Sequence, residues 1–440
     1  MKKLSNTLLL FEDLLFILFI FLIPSQLAHH FWPNWAFVGG VRVDYYSPAI
    51  YLTDIIVFAL LIVFVLRTFL TKGVGIRVKP FTLMMLGILA ILIIANIYYS
   101  LLPILSAMKW LKIIELTMIV LYIKGRNTFD AKKLLVMPLL YSVVVFGVIG
   151  IYQFYYQRSI GGLFYILGER SFTTDTVGIA VVNLFGAERL RMYSTFPHPN
   201  ALAGYAGVVA MLFFISYKKK TIKSNKALFW ISILILGIVL FLTFSKTAYL
   251  SIIIVGCSYL LLKMNQQMFK KATKALFLMI VVLSFLFSII SLPVVNEERY
   301  KTVSERIALA NVAGKAFSEN IITGVGMNNY IFQLSQRDVP TNVRWLLQPV
   351  HNVYLLMLSE MGLLLFIIAV LALFKVLTMT IDNNSLSILP YLFILITGIF
   401  DHYWLTLQQN QLIATIVIAV IIREYYEQKS KGTRRGASVL

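Results

Sequence analysis

Apolar runs long enough to cross a bilayer recur from one end of this chain to the other, and that repetition leaves few folds open to it. The runs are about 17 to 22 residues long, close to the roughly 20 residues a helix needs to traverse a hydrocarbon core of about 30 Å. A spanning segment must satisfy its backbone N–H and C=O groups internally, so it is a helix or part of a closed barrel, and these runs lack the alternation of barrel strands. The sequence therefore reads as an all-α polytopic integral membrane protein. Composition agrees: 59% of the 440 residues are hydrophobic and 13% are charged, with a mean hydropathy of +0.83.

About twelve transmembrane helices are expected, near 7–24, 48–68, 81–98, 103–123, 134–157, 198–217, 227–243, 247–262, 275–295, 351–374, 386–400 and 410–422. With the N-terminus inside, the cytoplasmic segments carry 25 Lys and Arg and the outer segments 12. The net charge of +20 is thus mostly the positive-inside signal, and no nucleic-acid partner is expected. Runs such as Lys218–Lys226 fit anionic lipid headgroups. Cys257, the lone cysteine, sits in a span, which excludes an intrachain disulfide or a Cys-based metal site. The first span carries Glu12 and Asp13 and no small-residue cleavage site, and reads as a retained signal anchor.

Two long external loops stand out, Gln157–Pro197 and Asn296–Val350. They hold ten of the twelve outer basic residues, among them Arg158, Arg170, Arg189, Arg191, Arg299, Arg306, Arg337 and Arg344. Arginine outside runs against the orientation bias. A guanidinium offers a fork of donors that matches phosphate oxygens, so one reading is an anionic ligand. The other is pairing with Glu169, Glu188, Glu297, Glu298, Glu305 and Glu319 on a solvated surface.

In "MYSTFPHPNALAGYAG" (Met192–Gly207), Pro197 and Pro199 keep Phe196 and His198 out of the α region. The chain then arrives extended and turns helical at Asn200, the expected N-cap. Ala203 and Gly207 offer a small-residue face for a neighbouring backbone. This fixed approach holds Arg191 near a helix N-terminus, where anions are favoured, and His198 reads as structural. In "QPVHNVYLLMLSEMGLLLF" (Gln348–Phe366), His351 and Asn352 open a long span on the outer side, where the imidazole is placed to act as a general base. Asp54, Glu115 with Lys109 and Lys112, and Glu360 fall inside spans and need partners or a cavity. Lys112 and Glu115 are spaced as an i, i+3 pair. Phe400–Gln411 places Asp401 and His402 at the end of a span, with Tyr403 and Trp404 as interfacial anchors. With no Asp-x-Asp outside and no evident His/Cys cluster, neither a metal site nor a cofactor is expected.

Taken in order, Arg191 followed by "STFPHPNALAGY", then "FSKTAYL", "ERIALANVAGKAFSENIITGVGMNNY" and "HNVYLLMLSEMG" resemble the O-antigen ligase and polymerase superfamily of bacterial membrane glycosyltransferases. The similarity spans roughly residues 186 to 402. Its most specific part is His351-Asn352, nine residues, then Gly362; Phe366 departs from the Gly, Thr or Tyr that continues the ligase pattern, which leaves ligase and polymerase both open. The resemblance implies about twelve helices, a large external loop, and inverting transfer of a glycan from undecaprenyl pyrophosphate to an acceptor hydroxyl without metal or nucleotide sugar. It implies His351 as the catalytic base and Arg191 and Arg306 as the arginines that hold the donor pyrophosphate. Asn352, Asp401 and Lys246 take supporting places, with Lys246 standing where many relatives have Arg.

The partners implied are a lipid-linked glycan donor, a glycan or lipid acceptor, and membrane lipids. The implied location is the bacterial cytoplasmic membrane, with the site facing the periplasm or exterior. The chain divides into N-terminal helices and first long external loop (1–185), a ligase-like core with its large loop (186–402), and a last helix with a basic cytoplasmic tail (403–440). A surface-polysaccharide polymerase is the alternative within the superfamily. A secondary transporter using Asp54, Glu115 and Glu360 is the alternative from another class.

Overall fold

In a computed structural model that describes residues 2–72, 79–221, 225–286, 301–336 and 346–437, helices coincide with the expected apolar segments as far as these are described; the expected span 275–295 lies outside the described residues beyond 286. The helices are α1 (Lys2–Leu22), α2 (Leu52–Lys72), α3 (Pro80–Tyr98), α4 (Pro103–Gly125), α5 (Met137–Tyr156), α6 (Pro199–Lys218), α7 (Lys226–Leu242), α8 (Lys246–Met264) and α9 (Gln266–Leu286). Two helices, α10 (Lys301–Glu319) and α11 (Tyr330–Gln336), lie in the second long loop, and α12 (Val353–Asp382), α13 (Ile388–Thr397), α14 (Tyr403–Thr406) and α15 (Gln408–Ala437) complete the chain. Among the described residues seven helices are long and apolar enough to cross a membrane. This makes the chain a multi-pass, mostly helical membrane protein. α7 and α13 are shorter, whereas α4, α9 and α15 carry Lys109, Lys112 and Glu115, a lysine-rich first half, and the amide run Gln408–Gln411.

The chain is not purely helical. Short antiparallel pairs join β1 (Ala28–His30) to β4 (Ala49–Tyr51) and β2 (Phe37–Val38) to β3 (Val41–Arg42), both between α1 and α2. A further hairpin, β5 (Val181–Leu184) with β6 (Ala187–Leu190), lies between α5 and α6. At the opposite end of α4, Arg126 meets Asp13 and Glu12, and Arg67 donates to Glu12 at 2.7 Å. Glu424 receives Lys219 at 2.6 Å there as well.

Two packing details position the site. The small face of α6 receives aromatic rings, not the backbone expected against Ala203 and Gly207: a Cβ on Gly204 would stand 2.6 Å from the Tyr403 ring, and one on Gly207 2.4 Å from Phe393. α12 is broken at Gly362, whose φ of 73° and ψ of 176° are open only to glycine. The Gly324–Gly326 segment, with both glycines at positive φ, enters this break. Val325 N donates to Ser359 O at 2.9 Å, Gly326 N to Glu360 O at 3.0 Å, and Leu363 N to Ile321 O at 2.7 Å, replacing bonds the helix gives up. Glu360 accepts from Tyr330 N at 3.2 Å and so serves the start of α11. The carboxylate of α12 thus finds a donor in the loop that inserts beside it.

Candidate functional site

The proline-bracketed stretch does arrive extended, but the cap is not Asn200. α6 begins at Pro199, and His198 (φ −150°, ψ 142°) is the N-cap, its Nδ1 accepting from Asn200 N at 3.1 Å. Proline lacks an N–H to be capped, so the capping bond passes to the next amide. The Asn200 side chain is thereby released for a bridge. Its Oδ1 accepts from Arg191 Nη2 at 2.7 Å, and its Nδ2 donates to Asp401 Oδ2 at 3.1 Å. Arg191 Nε also donates to Thr243 O at 2.7 Å, which ties the guanidinium to the α7–α8 turn.

His351 reaches the same carboxylate from the other side. Asn352 is the N-cap of α12, accepting from Leu355 N at 3.0 Å. Val353 N donates to Gly398 O at 2.8 Å, which sets the start of α12 against the end of α13. The geometry leaves His351 Nδ1 3.5 Å from Asp401 Oδ1, an ion-pair distance longer than a formed hydrogen bond, with that nitrogen buried and otherwise unpartnered. Asp401 is 4% exposed and also accepts from His402 N at 2.8 Å. Burial pushes its carboxyl up, but His351, then the charges of His402 and His198, outweigh burial and hold it well below the usual carboxylate range. His402, 5% exposed, lies with its ring 5.2 Å from that of His351, and burial depresses it to about 3 against the opposing pull of Asp401.

Arg306 on α10 donates from Nη1 to Phe400 O at 3.2 Å, one residue before Asp401. His351, Asp401, Asn200, Arg191 and Arg306 thus form one group drawn from five separate segments. Lys246 is not drawn in: it is exposed in the first turn of α8. Arg299, Arg337, Arg344, Glu297 and Glu298 lie outside the described residues.

A cavity of about 690 Å³ opens beside this group, lined by His198, His351, Asp401 and His402. Its other wall comes from residues 26–51 and 165–170, including Arg42, Asp44, Tyr45 and Arg170. Loop length directs attention to the two longest loops and passes over this segment. The signal that marks it is its density of aromatic and charged residues in "FWPNW" and "VRVDYYSP". Neither Arg191 nor Arg306 lines the cavity; its basic lining is Arg42, Lys109, Lys112 and Arg170. Lys112 is held by Asp54 at 2.8 Å and Glu115 at 2.6 Å, the expected pair plus a second acid. Lys109 donates to Leu405 O.

One expectation needs correction. The sequence shows no histidine cluster, yet the fold brings ligand-capable atoms of His351, Asp401 and His402 within 4.8 Å of one another. Two imidazoles and a carboxylate are a donor set that suits a transition-metal ion. The adjacency was hidden because His351 and His402 sit at the ends of different helices.

A helical membrane protein with a polar cavity, and a histidine, a carboxylate and arginines gathered beside it, defines the class. Residues 231–370, about a third of the chain, match the family model described as O-antigen ligase. That segment is similar to the O-antigen ligase family, which supports a place for it in that superfamily. The matched segment includes Lys246, Arg306, His351 and Asn352 and leaves Arg191 and Asp401 outside. A search of curated proteins gave no match.

Proposed function

We propose that this protein is a lipid-linked-oligosaccharide-dependent glycosyltransferase, working at the outer face of the cytoplasmic membrane with twelve helices across it. The observation that carries the reading is the pairing of His351 with Asp401, tethered through Asn200 to Arg191 and flanked by Arg306. Asp401 favours the tautomer with a proton on His351 Nδ1, leaving Nε2 as the base. The acceptor O–H gives its proton to Nε2 while its oxygen forms a bond to the anomeric carbon of the donor sugar. The bond from that carbon to the pyrophosphate oxygen breaks, and its electron pair leaves on the undecaprenyl pyrophosphate. Attack from the face opposite the leaving group inverts the centre. Arg191 and Arg306 stabilise the developing phosphate charge, so the step needs no metal ion. Asn352 supports by fixing the start of α12, and Lys246 adds positive charge near the α7–α8 turn.

The test is transfer by purified, reconstituted protein from a lipid-linked glycan to an acceptor. His351→Ala should abolish transfer while the protein still binds the donor. Wild-type turnover in that variant would overturn the assignment. Ligase and polymerase separate in a deletion strain: full-length polymer left on lipid marks a ligase, single repeats a polymerase. Asp54, Glu115 and Glu360, the residues of the transport reading, are each engaged by protein donors, which favours the transferase over it.

A further inference from the structure

The wall of the cavity facing His351 is built with more rigidity than a connecting loop requires. β1 and β4 close the 26–51 segment at its base, and β2–β3 turn through Gly39 and Gly40, both at positive φ, which brings Arg42 back beside the ring of Trp32 at 4.6 Å. His30 stacks with the same indole, ring centroids 5.8 Å apart, so Trp32 is fixed by two neighbours. The second support comes from the chain after α5. Gly168, at φ +86°, lets the backbone of Gln26 and Leu27 approach to where a Cβ would stand 2.3 Å away. Glu169 beside it is buried and accepts from Gln153, Ile160 N and Gly161 N at 2.7 to 2.8 Å. Arg170 follows directly and is thereby set in place.

Both arginines converge on one carboxylate. Arg42 Nε lies 3.4 Å from Asp44 Oδ1 and Arg170 Nη2 3.7 Å from Asp44 Oδ2. Neither contact reaches hydrogen-bond quality, and exposed pairs of this kind contribute little to stability. Most of the ten guanidinium N–H donors of the two residues therefore remain for a ligand, at the mouth of the cavity that holds His351. Tyr45, next to Asp44, connects the two regions: its ring packs edge-on to His402 at 5.8 Å, and its carbonyl is held by Asn328 at 2.9 Å.

From this geometry we infer that Arg42 and Arg170 form an anion subsite for the acceptor saccharide, taking a carboxylate or phosphate group of the sugar while its hydroxyl reaches His351. The inference rests on the proposed glycosyl transfer for the identity of the ligand. The family match does not assign it, because residues 26–51 and 165–170 lie outside the matched segment. Two arginines facing one aspartate leave a surplus positive charge, which selects an anionic over a neutral sugar.

The test reads binding rather than turnover. Purified full-length protein in detergent is titrated with digalacturonate, with its methyl ester, and with inorganic phosphate. Binding of digalacturonate or of phosphate, with the ester at least about tenfold weaker, is expected; whichever anion binds tells whether the acidic group is a carboxylate or a phosphate. Arg42→Ala and Arg170→Ala should each weaken that binding about tenfold or more, and Arg42→Lys should recover part of it. Both side chains are about half exposed, so the substitutions leave the fold intact, and an unchanged melting temperature checks this. Equal binding of acid and ester, or binding unaffected by either substitution, would overturn the subsite. In a transfer assay the same variants should raise the acceptor KM and leave kcat and the donor KM unchanged; a raised donor KM would instead hand this anion site to the donor. Because binding does not depend on chemistry, an inactive wild type would count against the proposed function alone.

Discussion

Asn200 donates from Nδ2 to Asp401 Oδ2 across 3.1 Å, joining the start of α6 to the turn before α14. The same side chain accepts from Arg191, so one amide holds a carboxylate and a guanidinium apart at a fixed spacing. Asn200→Asp should be more damaging than Asn200→Ala. The aspartate would place a second carboxylate against Asp401 in a buried setting, where like charges repel strongly. We expect kcat to fall about tenfold in the alanine variant, on the scale of one lost hydrogen bond to a charged group, and further in the aspartate variant. Equal activities in the two would show that the bridge carries no charge-selective role.

His351 and His198 both line the cavity but are built differently. His198 caps α6 through an acceptor atom, a duty that Ser or Asn can also perform. His198→Ala should lower stability by about 1 kcal/mol, and His198→Asn should restore it with transfer activity retained. No such rescue is expected at His351, where loss of the base itself is the defect. Measured turnover and thermal unfolding of His198→Ala, His198→Asn, His351→Ala and His351→Asn separate the two roles. A dead His198→Asn beside an active His351→Ala would exchange the assignments.

At Gly362 the left-handed backbone and the inserted loop act together. A Cβ there would stand 2.3 Å from Ile322 O and 2.6 Å from Gly324 N, both backbone atoms that cannot swing aside. Gly362→Ala should therefore cost more than the roughly 1 to 3 kcal/mol of strain at such a φ alone. Poor folding yield is the expected outcome, read by monodispersity in detergent. Gly237→Ala, on α7 with open space around it, is the control and should be neutral or better.

The helices were legible because apolar length is a local property that one window of sequence reveals. That His351 and Asn352 stand at the start of a helix was legible because helix entry is local too. Asn200 was misread as a cap because the choice between Asn200 and His198 depends on which amide Pro199 leaves unpaired. The closeness of His351 to the Asp401–His402 pair, and of Arg42 to Arg170, was not legible, since each joins segments far apart in sequence. Glu360 shows the same limit: an acid in an apolar helix calls for a partner, and only the fold shows that the partner is the Tyr330 amide.

Metal ions provide a separate check on the base. Transfer should continue in EDTA, because the arginines supply the charge stabilisation for which a divalent ion would otherwise be needed. Added Zn²⁺ should inhibit, since an ion held by His351, Asp401 and His402 displaces the proton on the His351 nitrogen that faces Asp401 and so withdraws the basicity of the other. His402→Ala should weaken that inhibition by removing one ligand. Loss of activity in EDTA, restored by a divalent ion, would contradict the metal-free step.

His402 also makes stability depend on pH in a defined direction. Its ordinary value of 6.5 is depressed by burial to about 3 in the folded protein. Between these values the unfolded chain binds a proton that the native state refuses, so unfolding takes up protons and stability falls as pH drops. The contribution is complete above about pH 6.5 and is lost progressively down to about pH 3. Asp401, held below its ordinary 3.8, adds a loss of the same sign at lower pH. His30, lowered chiefly by burial, acts in the same direction as His402, so one substitution reduces the dependence without abolishing it. Melting temperatures of wild type and His402→Gln in detergent at pH 8, 6, 5 and 4 provide the measurement. The glutamine can keep a hydrogen bond to Thr406, which His402 makes at 2.7 Å, while carrying no titratable proton. The variant should approach or exceed wild type in stability at pH 4 relative to pH 8; identical slopes for the two proteins would show that His402 does not titrate on unfolding.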